Sequence, residues 1–164
     1  MVTAELTVEK IWTILREIPD PEIPVLSLVD LNVVKRVDVS ATDGVRVELR
    51  PTFSGCPAID LMKRQIHDVL TSRGVEHVSV EVDLASPWST DDMGEEAKER
   101  LRAFGIAPPP RKGRDIGAAL RLPVPCPHCG SEGTHLDSAF GSTLCKQLFV
   151  CDACHQPFER FKPL

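Results

Sequence analysis

Cys126-Pro127-His128-Cys129 and Cys151-Asp152-Ala153-Cys154, separated by residues 130–150, decide the architecture of the C-terminal part of this chain. Each C-x-x-C pair can grip one Zn²⁺ from a tight turn, and two such pairs complete a tetrahedral thiolate shell. Gly130 follows the first pair and supplies the positive-φ residue that such knuckles favour. Between the pairs lie Phe140, Leu144, Leu148 and Phe149, enough apolar groups for a three-stranded ribbon but too few for a core that stands without metal. The spacing therefore predicts a zinc ribbon over residues 122–164, with Cys126, Cys129, Cys151 and Cys154 as ligands. Other occupants remain open: a rubredoxin-like iron site uses the same four thiolates. Cys151-Asp152-Ala153-Cys154-His155 also matches the C-x-x-C-H haem-attachment pattern, which leaves the first pair unexplained and requires export. Cys145 and His128 are spare donors, read as a packed strand residue and an exposed knuckle residue.

Upstream of the ribbon, Pro108-Pro109-Pro110 followed by Arg111-Lys112-Gly113-Arg114 reads as a stiff-then-flexible linker over residues 108–121. Residues 1–107 then form a separate mixed α/β domain. Thr7 can cap a helix whose stripe is Ile11, Ile14, Leu15 and Ile18, and Pro19, Pro21 and Pro24 stop it. Residues 25–31 read as a buried turn plus strand, and Asn32 suits a left-handed turn before a strand carrying Val33, Val37 and Val39. Asp43-Gly44 signals a hairpin, and Val45, Val47 and Leu49 alternate with charged residues on the return. A helix with Ile59, Met62, Ile66 and Val69 on one face ends near Gly74, a strand carries Val78, Val80 and Val82, and residues 95–104 are helical up to Gly105.

Composition narrows the function. The net charge is −5, acidic residues dominate residues 1–110, and only the short linker is basic, so the field that nucleic-acid binders use against phosphate is missing. No segment approaches the ~18 apolar residues of a transmembrane helix. The start, with Glu5 and Glu9, lacks the pattern of a signal peptide, which implies a cytoplasmic location. Six cysteines in a reducing compartment point to metal before disulfides.

Cys56 stands apart from the ribbon. Pro57 is a favoured first helical residue, which places Cys56 at the N-cap, where free amides and the helix dipole lower a thiol pKa. A thiolate serves both metal binding and nucleophilic attack, and Gly55 leaves room beside it. No His–Asp pair accompanies it, so cysteine-hydrolase chemistry is unsupported.

Asp20-Pro21-Glu22-Ile23-Pro24, Ser27-Leu28-Val29-Asp30-Leu31, Thr52-Phe53-Ser54-Gly55-Cys56-Pro57 and Pro87-Trp88-Ser89-Thr90 resemble the MIP18-like (DUF59) iron–sulfur assembly domain. Phe104-Gly105-Ile106-Ala107-Pro108, and Phe140-Gly141-Ser142-Thr143 with Cys145-Lys146 inside a ribbon, narrow the resemblance to the PaaD (PaaJ) family of accessory subunits of the phenylacetyl-CoA epoxidase system. The resemblance implies an α-β-β-α-β fold followed by the ribbon and a non-enzymatic maturation role in phenylacetate catabolism. It implies Cys56 as ligand of a transient iron or iron–sulfur centre, in one chain or across a homodimer, with Asp20, Glu22, Thr52 and Trp88 around it. The implied partners are the oxygenase and reductase subunits and the iron–sulfur assembly machinery, with no nucleic acid and no membrane. An electron-transfer or structural subunit of the oxygenase, or a docking adaptor, are the alternatives. The chain departs from the family pattern at Asn32 (usually Gly), at Asp92 (usually aromatic) and in Phe161-Lys162-Pro163-Leu164, where relatives tend to carry a further cysteine.

Overall fold

The computed structural model describes residues 6–110 and 116–164, which fall into two compact units, Met1–Pro87 and Trp88–Leu164. In the first, Thr7 caps α1 (Val8–Leu15), its Oγ1 accepting the Lys10 N–H at 3.3 Å, and Ile11 and Leu15 are buried. β1 (Val34–Ser40) and β2 (Gly44–Leu49) form the predicted hairpin. Its loop is residues 41–43 rather than a two-residue Asp-Gly turn, because Gly44 itself pairs with Ser40. Gly44 has φ +78, and a Cβ there would sit 2.2 Å from the His77 carbonyl oxygen. β3 (Val78–Val82) pairs parallel with β2, which requires a crossover; α2 (Ile59–Ser72) supplies it. The sheet order is β1-β2-β3. Met62, Ile66 and Leu70 of α2, Ile11 and Leu15 of α1, and Val37, Val45, Val47 and Leu49 of the sheet are buried together as this unit's apolar residues. Of the cross-strand ion pairs, Lys35–Glu48 (3.0 Å) is partly buried and Arg46–Glu81 is exposed.

Two details of the 25–33 segment differ in outcome. No strand forms at 25–31. Ser27 and Asp30 instead satisfy one another's amides at 3.0 Å each, a reciprocal cap that fixes a helical turn. Leu26, Leu28 and Leu31 are buried there, which is why the stretch looked strand-like. Asn32 adopts the expected left-handed conformation, φ 54, which asparagine tolerates better than most residues.

The second unit contains α3 (Glu95–Ala103), β4 (Ile106–Ala107), α4 (Ile116–Ala119), β5 (Thr134–Ser138), β6 (Lys146–Cys151) and β7 (Pro157–Phe161). β5, β6 and β7 are the predicted antiparallel ribbon, and β4 joins β7 in parallel to give the order β4-β7-β6-β5. Residues 88–107, read from sequence as part of the first domain, thus pack with the ribbon. Trp88 lies against Phe161 with ring centroids 5.6 Å apart, and the Thr90 N–H donates to the Leu164 carbonyl at 3.1 Å. The Pro108–Pro110 run draws the eye as a boundary, whereas a two-residue strand before it carries no sequence signal.

Of the linker assigned to 108–121, residues 111–115 lie outside the described residues; the remainder is not a free tether. The guanidinium of Arg160, on β7 and fully buried, donates to the carbonyls of Ala119 (3.1 Å), Leu120 (2.8 Å) and Leu122 (3.0 Å). It also donates to Gln147 Oε1 at 2.6 and 3.1 Å and lies 4.7 Å from the Phe149 ring centre. Burial pulls its pKa down to about 10, still a cation near neutrality.

The ribbon's core also differs from expectation. Phe149 is buried, but Phe140 and Leu144 are 61% and 39% exposed. The buried cluster is instead Ala107, Val124, Cys126, Phe149, Cys151 and Phe158, with Leu136 and Cys154 packed against it.

Candidate functional site

The two C-x-x-C turns are near copies of each other. The Gly130 N–H bonds to the Cys126 carbonyl and the His155 N–H to the Cys151 carbonyl, both at 2.9 Å. Cys126 and Cys151 donate their own N–H to Ser131 and Gln156 carbonyls at 2.9 and 3.1 Å. Each turn closes on a left-handed residue, Gly130 with φ 76 and His155 with φ 58. Sequence reasoning assigned His155 no role; its position, matching Gly130 one residue beyond the pair, was the available signal.

The turns bring the sulfurs of Cys126, Cys129, Cys151 and Cys154 within 4.8 Å of one another, forming a metal-binding cluster. Cys126 and Cys154 Sγ are 3.8 Å apart, Cys129 and Cys151 Sγ 3.6 Å. A tetrahedral ion with metal–sulfur bonds of ~2.3 Å holds its ligands ~3.8 Å apart, so the donor set fits one ion of that size. Backbone amides of Ser131, of Ala153 and Cys154, and of Gln156 aim at the sulfurs of Cys129, Cys151 and Cys154 respectively, and favour thiolates. The Cys154 amide, first among its causes, draws Cys151 down to about 6. Burial and the neighbouring sulfurs outweigh the Gln156 amide and push Cys154 up to about 12, and Cys129 is also raised in spite of the Ser131 amide. Cys145 is buried outside this cluster, its sulfur 3.2 Å from Thr143 Oγ1. His128 is exposed, with its ring edge-on to Phe158 at 6.5 Å.

The Cys56 site lies in the first unit and differs from expectation in two respects. The N-cap of α2 is Ala58, not Cys56, because the residues ahead of α2 make a separate turn. In that turn the Cys56 N–H bonds to the Phe53 carbonyl at 3.0 Å. The thiol pKa is raised, not lowered: burial is the main cause, and the Glu22 and Asp20 carboxylates add to it. The amides of Ala58 and Ile59 still point at the sulfur and oppose the rise. The Glu22 and Asp20 carboxylates thus act electrostatically on the Cys56 thiol. Asp20 is itself buried and has a structural task, its Oδ1 accepting the Glu22 and Ile23 amides at 2.8 Å each. Thr52 is half-buried in the bend before the turn. Trp88 packs on Phe161 in the second unit.

A raised thiol pKa has a direct readout. Alkylation of Cys56 by iodoacetamide, followed by peptide mass spectrometry, is expected to have its pH midpoint above that of an unperturbed thiol. Glu22→Gln removes a charge that disfavours the thiolate, so the midpoint should move down. A midpoint at or below the ordinary value, or one indifferent to Glu22→Gln, contradicts this electrostatic account.

Comparisons with known proteins agree with both halves of the chain. Residues 8–84 match the family described as "Iron-sulfur cluster assembly protein", and residues 112–162 match the "PaaD zinc beta ribbon domain". A subunit of the "Putative 1,2-phenylacetyl-CoA epoxidase" of Escherichia coli (strain K12) is 44% identical over 155 residues, covering 94% of this chain and 92% of that protein. The "Fe-S protein maturation auxiliary factor" of Porphyromonas gingivalis (strain ATCC BAA-308 / W83) is 37% identical over 96 residues, 58% of this chain and 90% of its own. Among solved structures, a DUF59 domain from Bacillus anthracis superposes with a TM-score of 0.53 at 26% identity, covering 57% of this chain and 89% of that one. A conserved hypothetical protein from Thermotoga maritima gives 0.51 at 25% identity, covering 58% and 94%. No helix among the described residues is long and apolar enough to cross a membrane. With a DUF59-type α/β unit followed by a four-cysteine ribbon, and a match over nearly the full length of that epoxidase protein, the chain belongs to the PaaD family.

Proposed function

We propose that this protein is a non-catalytic maturation factor of a phenylacetyl-CoA epoxidase system, carrying an iron or iron–sulfur centre as transient cargo on Cys56. The observation that supports this most is the setting of that cysteine: a half-buried thiol with two backbone amides on its sulfur and two carboxylates acting on it, in a unit matching iron–sulfur assembly proteins. A cation reverses the local balance. Asp20 and Glu22 disfavour a bare thiolate but favour a positively charged metal beside it. The proton on Cys56 must leave as cargo arrives, so a raised pKa makes holding weaker at neutral pH, which suits a centre that is to be passed on. Loading should strengthen as pH rises toward the thiol pKa.

The ribbon's resident ion in this reading is Zn²⁺, held by Cys126, Cys129, Cys151 and Cys154. All four positions are filled by protein, so the ion's contribution is structural. A four-thiolate ferric site would be red, so colourless purified protein with one equivalent of zinc supports this assignment, and iron at that site moves the ribbon to an electron-transfer role.

The experiment for the maturation role compares a strain lacking the chain with one carrying Cys56→Ala. Both are expected to accumulate epoxidase polypeptides deficient in their iron centre and to lose growth on phenylacetate. Cys56→Ala protein should keep its zinc and lose no more than about 1 kcal/mol of stability, since no cap is removed. Full epoxidase activity with Cys56→Ala contradicts the role given to that residue; full activity without the chain contradicts the maturation role itself.

A further inference from the structure

In the sheet order β1-β2-β3, no strand among the described residues pairs along the outer side of β3. The Val45 N–H donates to the His77 carbonyl at 2.9 Å and the Asp83 N–H to the Leu49 carbonyl at 2.8 Å. Odd-numbered residues of this run therefore direct their backbone groups to β2. Val78, Val80 and Val82 turn their N–H and C=O groups to the open side. Their side chains share a face with Val45, Val47 and Leu49, their partners in register. Those partners are buried, whereas the three valines at the edge are only half-buried. Ser79 and Glu81 lie on the other face, exposed, with Arg46 holding Glu81.

An open edge is a template for uncontrolled pairing, and proteins blunt such edges with lysine, proline or a bulge. The opposite edge of this sheet is blunted in that way: β1 carries Lys35 and Arg36 and a register irregularity between Val34 and Arg36. β3 has none of these devices, and Val78-Ser79-Val80-Glu81-Val82 runs in unbroken register along β2. The strand is also complementary to itself. Antiparallel pairing centred on Val80 sets Val78 against the partner's Val82, so every outward N–H and C=O of the valines finds a mate. On the polar face the same pairing sets Ser79 against the partner's Glu81 and His77 against the partner's Asp83. Sliding by two residues in one direction brings Glu81 against the partner's Glu81, and sliding in either direction leaves edge amides unpaired. A slip of one residue faces the outward groups with residues that point away.

We propose that β3 pairs antiparallel with β3 of a second copy of this chain, joining two sheets into one about a two-fold axis. The match of the polar row selects this occupant. The valine edge would accept any extended peptide, but the chain's own strand brings the hydroxyl and the imidazole that Glu81 and Asp83 face. The assembly closes at two copies, because the edges left outside are the blunted β1 strands. One consequence rests on the maturation reading. The Cys56 turn leads into α2, which runs back between the parallel strands β2 and β3 and so starts at their C-terminal end. The two-fold points those ends in opposite directions, so each chain holds its own cargo and the two Cys56 thiols do not share one centre.

Sedimentation equilibrium of the full-length, zinc-loaded chain without cargo measures the association, expected at a Kd of about 10 µM for so short an edge. Val80→Pro removes an amide that faces the open side and leaves the ladder to β2 intact, so the monomer should fold. By symmetry it removes a bond at each copy of Val80, and dimerisation should weaken about 30-fold. Ser79→Glu, at an exposed position, sets carboxylates opposite one another and should weaken it about 5-fold. In amide exchange by NMR, Val80 should be protected above the Kd and not below it, whereas Ser79 and Glu81, bonded to β2, stay protected at both concentrations. Melting of each variant under monomeric conditions checks the fold. Should Val80→Pro not fold, Ser79→Glu and the Val80 amide decide. A monomer at about 1 mM overturns the proposal, as does a dimer indifferent to both substitutions or a Val80 amide indifferent to concentration. A monomer whose Val80 amide is protected only by a purified epoxidase subunit overturns it in favour of a foreign strand. Normal iron centres in a strain without the chain sink the maturation role and leave the dimer standing.

Discussion

Stripping the metal from the four-cysteine cluster, or replacing Cys151 by Ser, is expected to unfold the chain back to about residue 88, well beyond the ribbon's own strands. Structural zinc contributes roughly 10–16 kcal/mol at neutral pH to modules of this kind, more than so small a core can replace. Cys126 and Cys151 are themselves core residues here, packed with Phe149, Phe158 and Val124. Ala107 belongs to the same cluster, and β4 is paired along β7, so the loss should travel into α3 and the Trp88 segment. Hydrogen exchange on the full chain before and after chelation reads this directly: protection should vanish over residues 88–107 together with 124–161. Cys145→Ser should leave both metal and protection in place, since its sulfur lies outside the cluster. Retained protection at Ile106 and Leu101 after complete metal removal would refute the coupling.

The second large effect is expected at Arg160. Arg160→Ala leaves the Ala119, Leu120 and Leu122 carbonyls and Gln147 Oε1 without the donors they now have, of which the bonds to Ala119 and Gln147 are buried. Removing a buried charge's hydrogen-bonding network of this size costs about 3–5 kcal/mol. Arg160→Lys should recover little, because an ammonium cannot span partners on several sides as the planar fork does. Thermal melts of the zinc-loaded chain measure both. A shift equivalent to under about 1 kcal/mol for Arg160→Ala would show that the 119–122 strap is held by other means.

Legibility in the sequence followed how local each feature is. The hairpin at Asp43-Gly44, the Thr7 cap and the left-handed Asn32 were readable because each is decided by a few adjacent residues. The cysteine cluster was readable because thiol spacing reports chelation almost independently of the surrounding fold. β4 was not readable, since two residues make no periodic pattern and their partners are on β7. Phe140 and Leu144 misled for a related reason: apolar character predicts burial only on average, and the core chose Phe149 and Phe158 instead. At Cys56 the residue was legible and its acidity was not. Proline and the helix dipole argued for a lowered pKa, whereas burial and the carboxylates of a loop over thirty positions earlier reversed the sign. Arg160 gave no warning at all, because nothing in Pro157-Phe158-Glu159-Arg160 marks which charged side chain points inward.

The parallel pairing of β4 with β7 has a consequence for the order in which this protein is made. Synthesis proceeds from the N-terminus, so all elements of the first unit are available once residue 87 has left the ribosome, and it can be complete while the rest is still being translated. Ile106 and Ala107 emerge long before Glu159 and Arg160, their only strand partners among the described residues, and must wait for them. Cys126 and Cys129 likewise wait for Cys151 and Cys154. The second unit is therefore assembled and metallated last, as a single late event. Nascent chains arrested before residue 151 should carry a folded first unit and alkylatable Cys126, and those extended past residue 164 by a spacer should lose that reactivity when zinc is present.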